Sequence, residues 1–264
     1  MHPDKMLCFQ GLCGFYRQHS VSLDFLKTVE STGQTSFSGF AGDSSQTVVR
    51  LFFWSGHDNP GEIPKTKKNR RTNTDVIAFF DRCAPEWDVD MIRNEPVIQT
   101  ILDNAGVCTG IDVLDVACGT GVLIPDYLNR SVHSVTGIDI SPEMIRIAEK
   151  KFPQESVNLI CGDVESAQFD RQFDCVMVYN AFPHFSDSKA LIDRLSELVQ
   201  SGGRLSIAHG MSRAMLTRHH SGSASRVSIE LPEAETVAQM MDGVFHVDIV
   251  ISDDRMYQVC GVKK

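Results

Sequence analysis

The 264-residue chain is predicted to be an α/β protein whose mostly parallel sheet is covered by helices on both faces. From Thr72 onward, short apolar runs alternate with segments whose apolar residues recur at helical spacing. The apolar runs contain few polar residues, as do strands buried on both faces. Residues 244–262 hold two further apolar runs around a Ser-Asp-Asp turn, which predicts a terminal antiparallel hairpin.

The individual elements follow in order. A first helix, with Asn73 or Thr74 as N-cap, ends at Pro85, and a second is predicted over 89–104. Strands are then predicted at 111–116, 132–140, Val157–Cys161, Phe173–Tyr179 and 202–210. Helices are predicted between and after them at 121–129, Pro142–Lys151, 187–200 and 232–241. With the hairpin, these strands make a sheet of seven.

Residues 1–71 differ from the rest and are predicted to be a largely disordered or irregular extension. Residues 31–46 are rich in Ser, Gly and Thr, and residues 65–71 form a basic run of the linker kind. The extension holds 9 Lys and Arg against 6 Asp and Glu, whereas residues 72–264 hold 16 against 28. An acidic body disfavours contact with a phosphate backbone, so we expect no nucleic-acid partner.

Composition also bears on location. No apolar run approaches the length of a membrane-spanning helix, and the N-terminal stretch lacks the apolar centre of a signal peptide. The eight cysteines form no CxxC pair and no zinc-like spacing. Free thiols are typical of reducing compartments, so we expect a cytoplasmic protein without a metal site.

The turn after the strand at 111–116 indicates what the sheet binds. It reads "DVACGTG" (residues 115–121, the glycine turn). Ligands of such sheets bind beyond the carboxyl ends of the strands. A dinucleotide motif would need a third glycine where Ile124 stands, and no Lys-Ser/Thr follows as in a P-loop. The carboxylate of Asp115 suits an ammonium better than a pyrophosphate, so the turn predicts a zwitterionic ligand.

Several motifs then occur in an order typical of one family. "VLDVACGTG" resembles motif I of the class I S-adenosylmethionine-dependent methyltransferases, and "VTGIDIS", "SPEMIRIAEKK", "CGDVES" and "FDCVMVYNAFPHF" are similar to motifs that follow it there. The preceding "FFDRCAPEWD" resembles the entry segment of the ubiquinone/menaquinone-type small-molecule methyltransferases. The resemblance covers residues 72–264. It implies a Rossmann-like doubly wound fold, S-adenosylmethionine as methyl donor, a small-molecule acceptor, and a helical lid segment over 72–106.

The resemblance also implies which residues hold the cofactor. In the family, an acid at the position of Asp139 binds the ribose hydroxyls, Met144 lies beside the adenine, and Asp163 accepts from the adenine amino group. Further contacts are implied in the glycine turn and at later strand ends, at Asp115, Ala117, Cys118, Gly119, Gly121, Ile140, Val164 and Asn180.

Catalysis requires a base only if the acceptor carries a proton to be removed, because methyl transfer itself is an in-line displacement. His184 is the first candidate and His209 the second, since each follows a strand. His219 and His220 follow in a predicted loop; four histidines at one rim suit a metal, but no fixed spacing supports one, so none is predicted. Five aromatic residues are candidates for an apolar wall: Phe79, Phe80, Trp87, Phe182 and Phe185. For the helical pair Phe79 and Phe80, packing in the core is an equal alternative.

Two other functions stay open at this point. Aminopropyl transfer uses the same fold, and a regulatory protein that binds S-adenosylmethionine would keep the cofactor motifs without catalysis. The sequence does not indicate whether the methylated atom is O, S, N or C, nor the oligomeric state.

Overall fold

The computed structural model describes residues 25–29, 35–39, 72–89, 91, 93–219 and 227–264, with the backbone alone for 25–29, 35–39, 218 and 219. Strands β1 (Phe25–Val29) and β2 (Thr35–Gly39) pair antiparallel, in a compact unit distinct from Arg70–Lys264. These ten residues form strands within the segment that is predicted to be largely irregular. The other residues of 1–71 lie outside the described part of the chain.

The larger unit alternates helices and strands. Its helices are α1 (Asn73–Cys83), α2 (Glu95–Asn104), α3 (Ile124–Asn129), α4 (Pro142–Lys151), α5 (Ser188–Leu198), α6 (Arg213–His219) and α7 (Ala234–Met241). Its strands are β3 (Asp112–Val116), β4 (Ser134–Asp139), β5 (Val157–Cys161), β6 (Phe173–Tyr179), β7 (Val199–His209), β8 (Phe245–Ser252) and β9 (Tyr257–Lys263). None of the helices within the described ranges is long and apolar enough to cross a membrane.

These seven strands form one sheet in the order β5-β4-β3-β6-β7-β9-β8. Strands β3 to β7 are parallel, and β9 runs antiparallel to both β7 and β8. The chain moves from β3 outward to β5 and then returns to β6 on the other side of β3. The loops after β3 and β6 therefore diverge, and a crevice opens at the carboxyl ends of these strands. The predicted seven-stranded, mostly parallel sheet with a terminal hairpin is confirmed.

The core lies on both faces of this sheet. Successive residues of β3 point to opposite faces, so Val113 packs in one buried cluster and Leu114 in the other. Helix α2 covers the first face with Ile101, and α5 covers the second with Leu195. Burial on both faces explains why the central strands read as continuous apolar runs.

Local capping shifts the predicted starts of the first two helices. Thr72, rather than Asn73 or Thr74, caps α1, because it forms a reciprocal capping box with Asp75. Helix α2 begins at Glu95 and not at residue 89. Asn94 caps it through its side chain and a proline occupies the first turn, a combination that fixes a helix start.

Two further predictions need correction. Helix α3 begins at Ile124 rather than at residue 121, because Gly121 has a left-handed backbone with φ +83°. Helix α6 forms within a segment predicted to be a loop. The Ser212 hydroxyl accepts from the amide of Met215 at 3.3 Å, and Leu216 is buried, so a cap and one buried side chain stabilise this short helix.

Candidate active site

A cavity opens at the carboxyl ends of β3, β4, β5 and β6 and is bounded on its other side by α1 and the turn after it, which belong to the segment predicted to be a lid (the lid segment). Its volume is about 1130 Å³, counting space open to solvent. That size suits a ligand of several hundred daltons. Ten of the eleven residues predicted to bind the cofactor line it: Asp115, Ala117, Cys118, Gly119, Asp139, Ile140, Met144, Asp163, Val164 and Asn180. Their roles toward a cofactor stay predictions.

Gly121 is the exception, since it does not line the cavity. A Cβ at Gly121 would lie 2.6 Å from the ring of Phe152 and 2.8 Å from Ile124, so this glycine permits close packing of helices behind the turn. At Gly119, by contrast, the nearest atom to an added Cβ is the Trp87 Nε1 at 3.8 Å, so the position opens toward the cavity. The two glycines of one motif therefore serve different purposes.

The backbone around the cavity is unusual at two non-glycine residues. Ala117 has φ 54° and Asn180 has φ 55°, and both line the cavity. The Asn180 side chain accepts from the amide of Gly210 at 2.9 Å, which holds the ends of β6 and β7 together. Left-handed non-glycine residues cluster at functional sites, where neighbouring structure holds them in place.

Asp115 is the most deeply buried acid of the cavity, with only 3% of its surface exposed. Burial, reinforced by the nearby charge of Asp139, raises the pKa of the Asp115 carboxyl to about 8. No described residue donates a hydrogen bond to it. A cation brought to this carboxylate would relieve both effects, so Asp115 favours a ligand with an ammonium group.

Asp139 is also buried, but backbone amides satisfy it. One carboxylate oxygen accepts from Ser141 at 2.8 Å and the other from Gly119 at 2.9 Å. Burial raises the pKa of Asp139 to about 6, against the opposing effect of these two hydrogen bonds. Each oxygen keeps a second lone pair, so the group can still accept from ligand hydroxyls.

Side chains of the lid segment are bonded to the loops that follow β3 and β4. Thr120, next to Gly119, donates to Asp88 at 2.6 Å, and Lys151 donates to the other Asp88 oxygen at 2.7 Å. Ser141 donates to Asp81 at 2.5 Å while its own oxygen caps α4. The lid segment is thus attached to the turns that shape the cavity.

A third attachment lies after β5. Asn73 donates to an oxygen of Asp163 at 2.7 Å, and the other oxygen accepts from the amide of Glu165 at 3.0 Å. Asn73 lines the cavity together with Tyr179 at the end of β6, and the sequence analysis identified neither as a site residue. Sequence alone could not identify them, because neither belongs to a recognisable motif. Their place in the site is evident only from their contacts with residues far away in sequence.

The candidate base His184 lines the cavity, whereas His209 does not. The Nδ1 of His184 lies 3.0 Å from the carbonyl oxygen of Val227, and its ring meets Phe80 edge-on at 4.9 Å. The Ser228 hydroxyl lies 3.2 Å from the same Nδ1. Because a carbonyl only accepts, the tautomer in which Nδ1 donates to Val227 is the one that leaves the lone pair of the neutral ring on Nε2.

His209 is fully buried and packs against Tyr257. It is the last residue of β7 and is still paired with Tyr257 of β9, so it lies inside the sheet. The structure gives it no position at the cavity.

The other residues predicted at the rim of the cavity are only partly found there. Phe80, Trp87 and Phe185 line the cavity, but Phe79 and Phe182 pack in the core, because their faces of α1 and of the turn Phe182–His184 point inward. The side chain of His219 and all of His220 lie outside the described residues. Within the described part of the chain, no group of three or more His, Cys, Asp or Glu residues is arranged to hold a metal.

This fold and this site define a class of protein. The glycine turn after the central strand and the acids after the next two strands line the cavity, where the sequence resemblance to class I S-adenosylmethionine-dependent methyltransferases implies cofactor contacts. Residues 113–203 match the family model described as a methyltransferase domain. The chain therefore carries a class I S-adenosylmethionine-dependent methyltransferase domain.

Individual relatives agree with this assignment. The chain is similar to the malonyl-[acyl-carrier protein] O-methyltransferase of Acetivibrio thermocellus, with 29% identity over 157 residues, 58% of this chain and 56% of that protein. It is 30% identical over 154 residues to the demethylmenaquinone methyltransferase of Thermotoga maritima, covering 54% of this chain and 62% of that protein. The chain thus spans less than two thirds of the length of either relative.

A solved structure shows the same fold. The magnesium protoporphyrin IX methyltransferase of Synechocystis PCC 6803, crystallised with bound S-adenosylhomocysteine, matches with a TM-score of 0.57 at 18% identity. The match covers 73% of this chain and 97% of that one. At this level of identity the likeness concerns the fold alone.

Proposed function

We propose that the protein transfers a methyl group from S-adenosylmethionine to a small-molecule acceptor. One observation carries the proposal: a buried acid to which no described group donates, Asp115, shares a cavity with the open backbone of Gly119 and the amide-held acid Asp139. Asp115 suits an ammonium group of the ligand, Gly119 lets the ligand approach the backbone closely, and Asp139 can accept from the hydroxyls of a sugar ring. Together they suit a nucleoside linked to an amino acid.

The residues present therefore fit the cofactor. Asp115 would hold its ammonium, Asp139 its ribose hydroxyls, and Asp163 with Met144 its adenine. Met144 is 1% exposed and reaches the cavity from the first turn of α4, so it offers an apolar surface to a flat ring. When bound, S-adenosylmethionine supplies a methyl group on a positively charged sulfur that becomes neutral on transfer.

The contribution of the chain is to position the acceptor and to exclude water. Phe80, Trp87 and Phe185 give the cavity an apolar wall, and an apolar surrounding favours a transition state in which the charge of the sulfonium is dispersed. Holding the acceptor in line replaces a bimolecular encounter with an intramolecular one. The wall supports an acceptor that has an apolar or aromatic part.

His184 would act as the base when the acceptor carries a proton. Its Nδ1 is oriented by the carbonyl of Val227, so Nε2 is the basic nitrogen. An imidazole held in one tautomer by its second nitrogen is the usual arrangement of a histidine base. This arrangement favours a hydroxyl or thiol acceptor over an amine that is already nucleophilic.

Calorimetric titration tests the cofactor part of the proposal. We expect S-adenosylmethionine and S-adenosylhomocysteine to bind and NAD to give no heat. Binding of NAD alone, or of none of the three, would contradict the proposal. Product formation from radiolabelled S-adenosylmethionine then tests acceptors, beginning with malonyl-acyl carrier protein and demethylmenaquinone, after which the two relatives are named.

Substitution of His184 tests the base. We expect His184→Ala to lower kcat by about 10²–10⁴-fold and leave the Kd of S-adenosylhomocysteine unchanged. Turnover of the variant should also lose the decline at low pH that protonation of a base causes. His246→Ala, at an exposed histidine of the edge strand β8, serves as the matched control. Equal kcat for His184→Ala and the control would exclude His184 as base.

A further inference from the structure

The lid segment places a buried hydrogen-bond donor at the cavity. Trp87 is 7% exposed, lines the cavity and packs edge-on against Phe80 at 5.8 Å. Its Nε1–H is buried and has no hydrogen-bond partner among the described residues. Buried donors without a partner are rare in proteins, so this one indicates a position where a ligand accepts.

The donor lies against the glycine turn. The Nε1 atom is 3.8 Å from the point that a Cβ on Gly119 would occupy. The next residues along both segments are bonded to each other, because Thr120 donates to Asp88 at 2.6 Å. Asp88 is held a second time by Lys151 at 2.7 Å. The indole is therefore fixed over the turn by its neighbours and not merely by its own packing.

Three amides of the turn already donate within the protein and do not face an anion. The amide of Cys118 donates to Ile138 at 3.1 Å, that of Gly119 to Asp139 at 2.9 Å, and that of Gly121 to Cys118 at 2.9 Å. An α-amino acid carries its ammonium and its carboxylate on one carbon. A ligand whose ammonium meets Asp115 must therefore bring a carboxylate to the same turn, where a donor is needed.

We propose that the Trp87 indole Nε1–H donates to the carboxylate of the cofactor's methionine half, so that Trp87 and Asp115 together recognise the zwitterion. This inference rests on the proposed function and names how the same cavity selects the amino-acid end. A hydrogen bond to a charged acceptor is stronger than one between neutral groups.

A comparison of two ligands with one variant tests the inference. Decarboxylated S-adenosylmethionine keeps the ammonium and the sulfonium but lacks the carboxylate. We expect Trp87→Phe to weaken S-adenosylmethionine by about tenfold or more, the usual effect of losing a hydrogen bond to a charged group, and to change the Kd of the decarboxylated compound less than twofold. Thermal unfolding without ligand checks that the variant folds.

A second measurement uses the unsubstituted side chain, so it does not depend on the stability of the variant. Trp54 and Trp87 are the two tryptophans of the chain, and Trp54→Phe assigns their indole resonances in protein labelled with ¹⁵N-tryptophan. We expect the Trp87 N–H resonance to move downfield, and to exchange with solvent more slowly, on adding S-adenosylmethionine. The decarboxylated compound should leave that resonance near its ligand-free position.

The outcomes separate this inference from the proposed function. Equal weakening of both ligands by Trp87→Phe would reduce Trp87 to a packing role and overturn the inference. No weakening of either, or the same N–H shift with both ligands, would overturn it as well. Failure of the unsubstituted protein to bind any adenosyl compound would instead overturn the proposed function, and the inference with it.

Discussion

On one side, the cavity is bounded by the loops that follow β3, β4 and β5, and on the other by the lid segment. The loops present the glycine turn, Asp139 and Asp163 from consecutive, recognisable motifs. The lid segment presents Asn73, Phe80 and Trp87, which belong to an ordinary amphipathic helix and the turn after it. The first region is built from local backbone geometry, and the second from contacts with residues far away in sequence.

The distances along the chain make this difference concrete. Gly119 and Asp139, 20 residues apart, meet because parallel strands β3 and β4 are neighbours. Asn73 and Asp163, 90 residues apart, meet only after the whole sheet has formed. We therefore expect substitutions in the loops to affect cofactor binding and folding strongly, and substitutions at the polar attachments of the lid segment to affect folding weakly.

The largest effect is expected at Asp115. Asp115→Asn should weaken S-adenosylhomocysteine by about 3–5 kcal/mol, because the ligand ammonium would be buried without its partner. Calorimetry measures this loss. Asp254→Asn, at an exposed acid of the β8–β9 turn, is the control and should leave the Kd unchanged. If Asp115→Asn weakened binding of S-adenosylhomocysteine by less than about 1 kcal/mol, the loops would be no more important for binding than the lid segment.

The same variant has a second effect that depends on pH. Since the folded-state pKa of Asp115, about 8, exceeds the unfolded value of 3.8, the ligand-free protein loses stability as pH rises from about 4 to about 8. The loss is about 1.4 kcal/mol per pH unit for one such group. Asp115→Asn should therefore match the wild type near pH 4 and exceed its free energy of unfolding at pH 8. Urea unfolding at both pH values checks the sign, and a variant less stable at pH 8 would contradict it.

The two glycines test whether one motif serves two purposes. Gly121→Ala should lower the free energy of unfolding by about 2–5 kcal/mol, from left-handed strain and from overpacking against Phe152. Gly119→Ala should lower it by only the strain of about 1–2 kcal/mol while reducing affinity for S-adenosylhomocysteine. Denaturant unfolding and calorimetry separate the two; equal losses of stability would show that both positions are packing sites.

Asp139 is expected to give a smaller effect on binding than Asp115. Asp139→Ala should weaken S-adenosylhomocysteine by about 1–3 kcal/mol, the cost of leaving hydrogen-bond partners unpaired. The amides of Gly119 and Ser141 also lose their acceptor, so the turn should loosen. An exposed acid, Asp170, provides the control as Asp170→Ala. Unchanged affinity in Asp139→Ala would refute its predicted role toward the ribose.

The smallest effect is expected in the lid segment. Asp88→Ala removes the acceptor of the fully buried Thr120 hydroxyl and a half-exposed ion pair with Lys151, about 1 kcal/mol in total. Amides of α1 should then exchange hydrogen about fivefold faster. Glu86→Ala, exposed in the same segment, should leave exchange unchanged. Identical exchange in both variants would show that Asp88 does not fasten the lid segment.

Local sequence predicted most of the loop side of the site. The bounds of α4, β5 and β6 agree with the prediction, because each pattern is complete within ten residues or so. The N-cap of α1, the start of α2 and the existence of α6 were predicted wrongly or not at all. In those places several neighbouring residues could equally well begin a helix. The choice among them depends on one capping hydrogen bond or one buried contact, which the sequence pattern does not reveal.

The sequence by itself determined the order of strands and helices, the glycine turn and the acids that follow the central strands, since period, turn chemistry and spacing are properties of contiguous residues. Only the tertiary structure decided that His184 reaches the cavity while His209 is buried, and that Asn73 and Tyr179 belong to the site. Such residues carry no local pattern, because the sheet that brings them together forms from segments far apart along the chain.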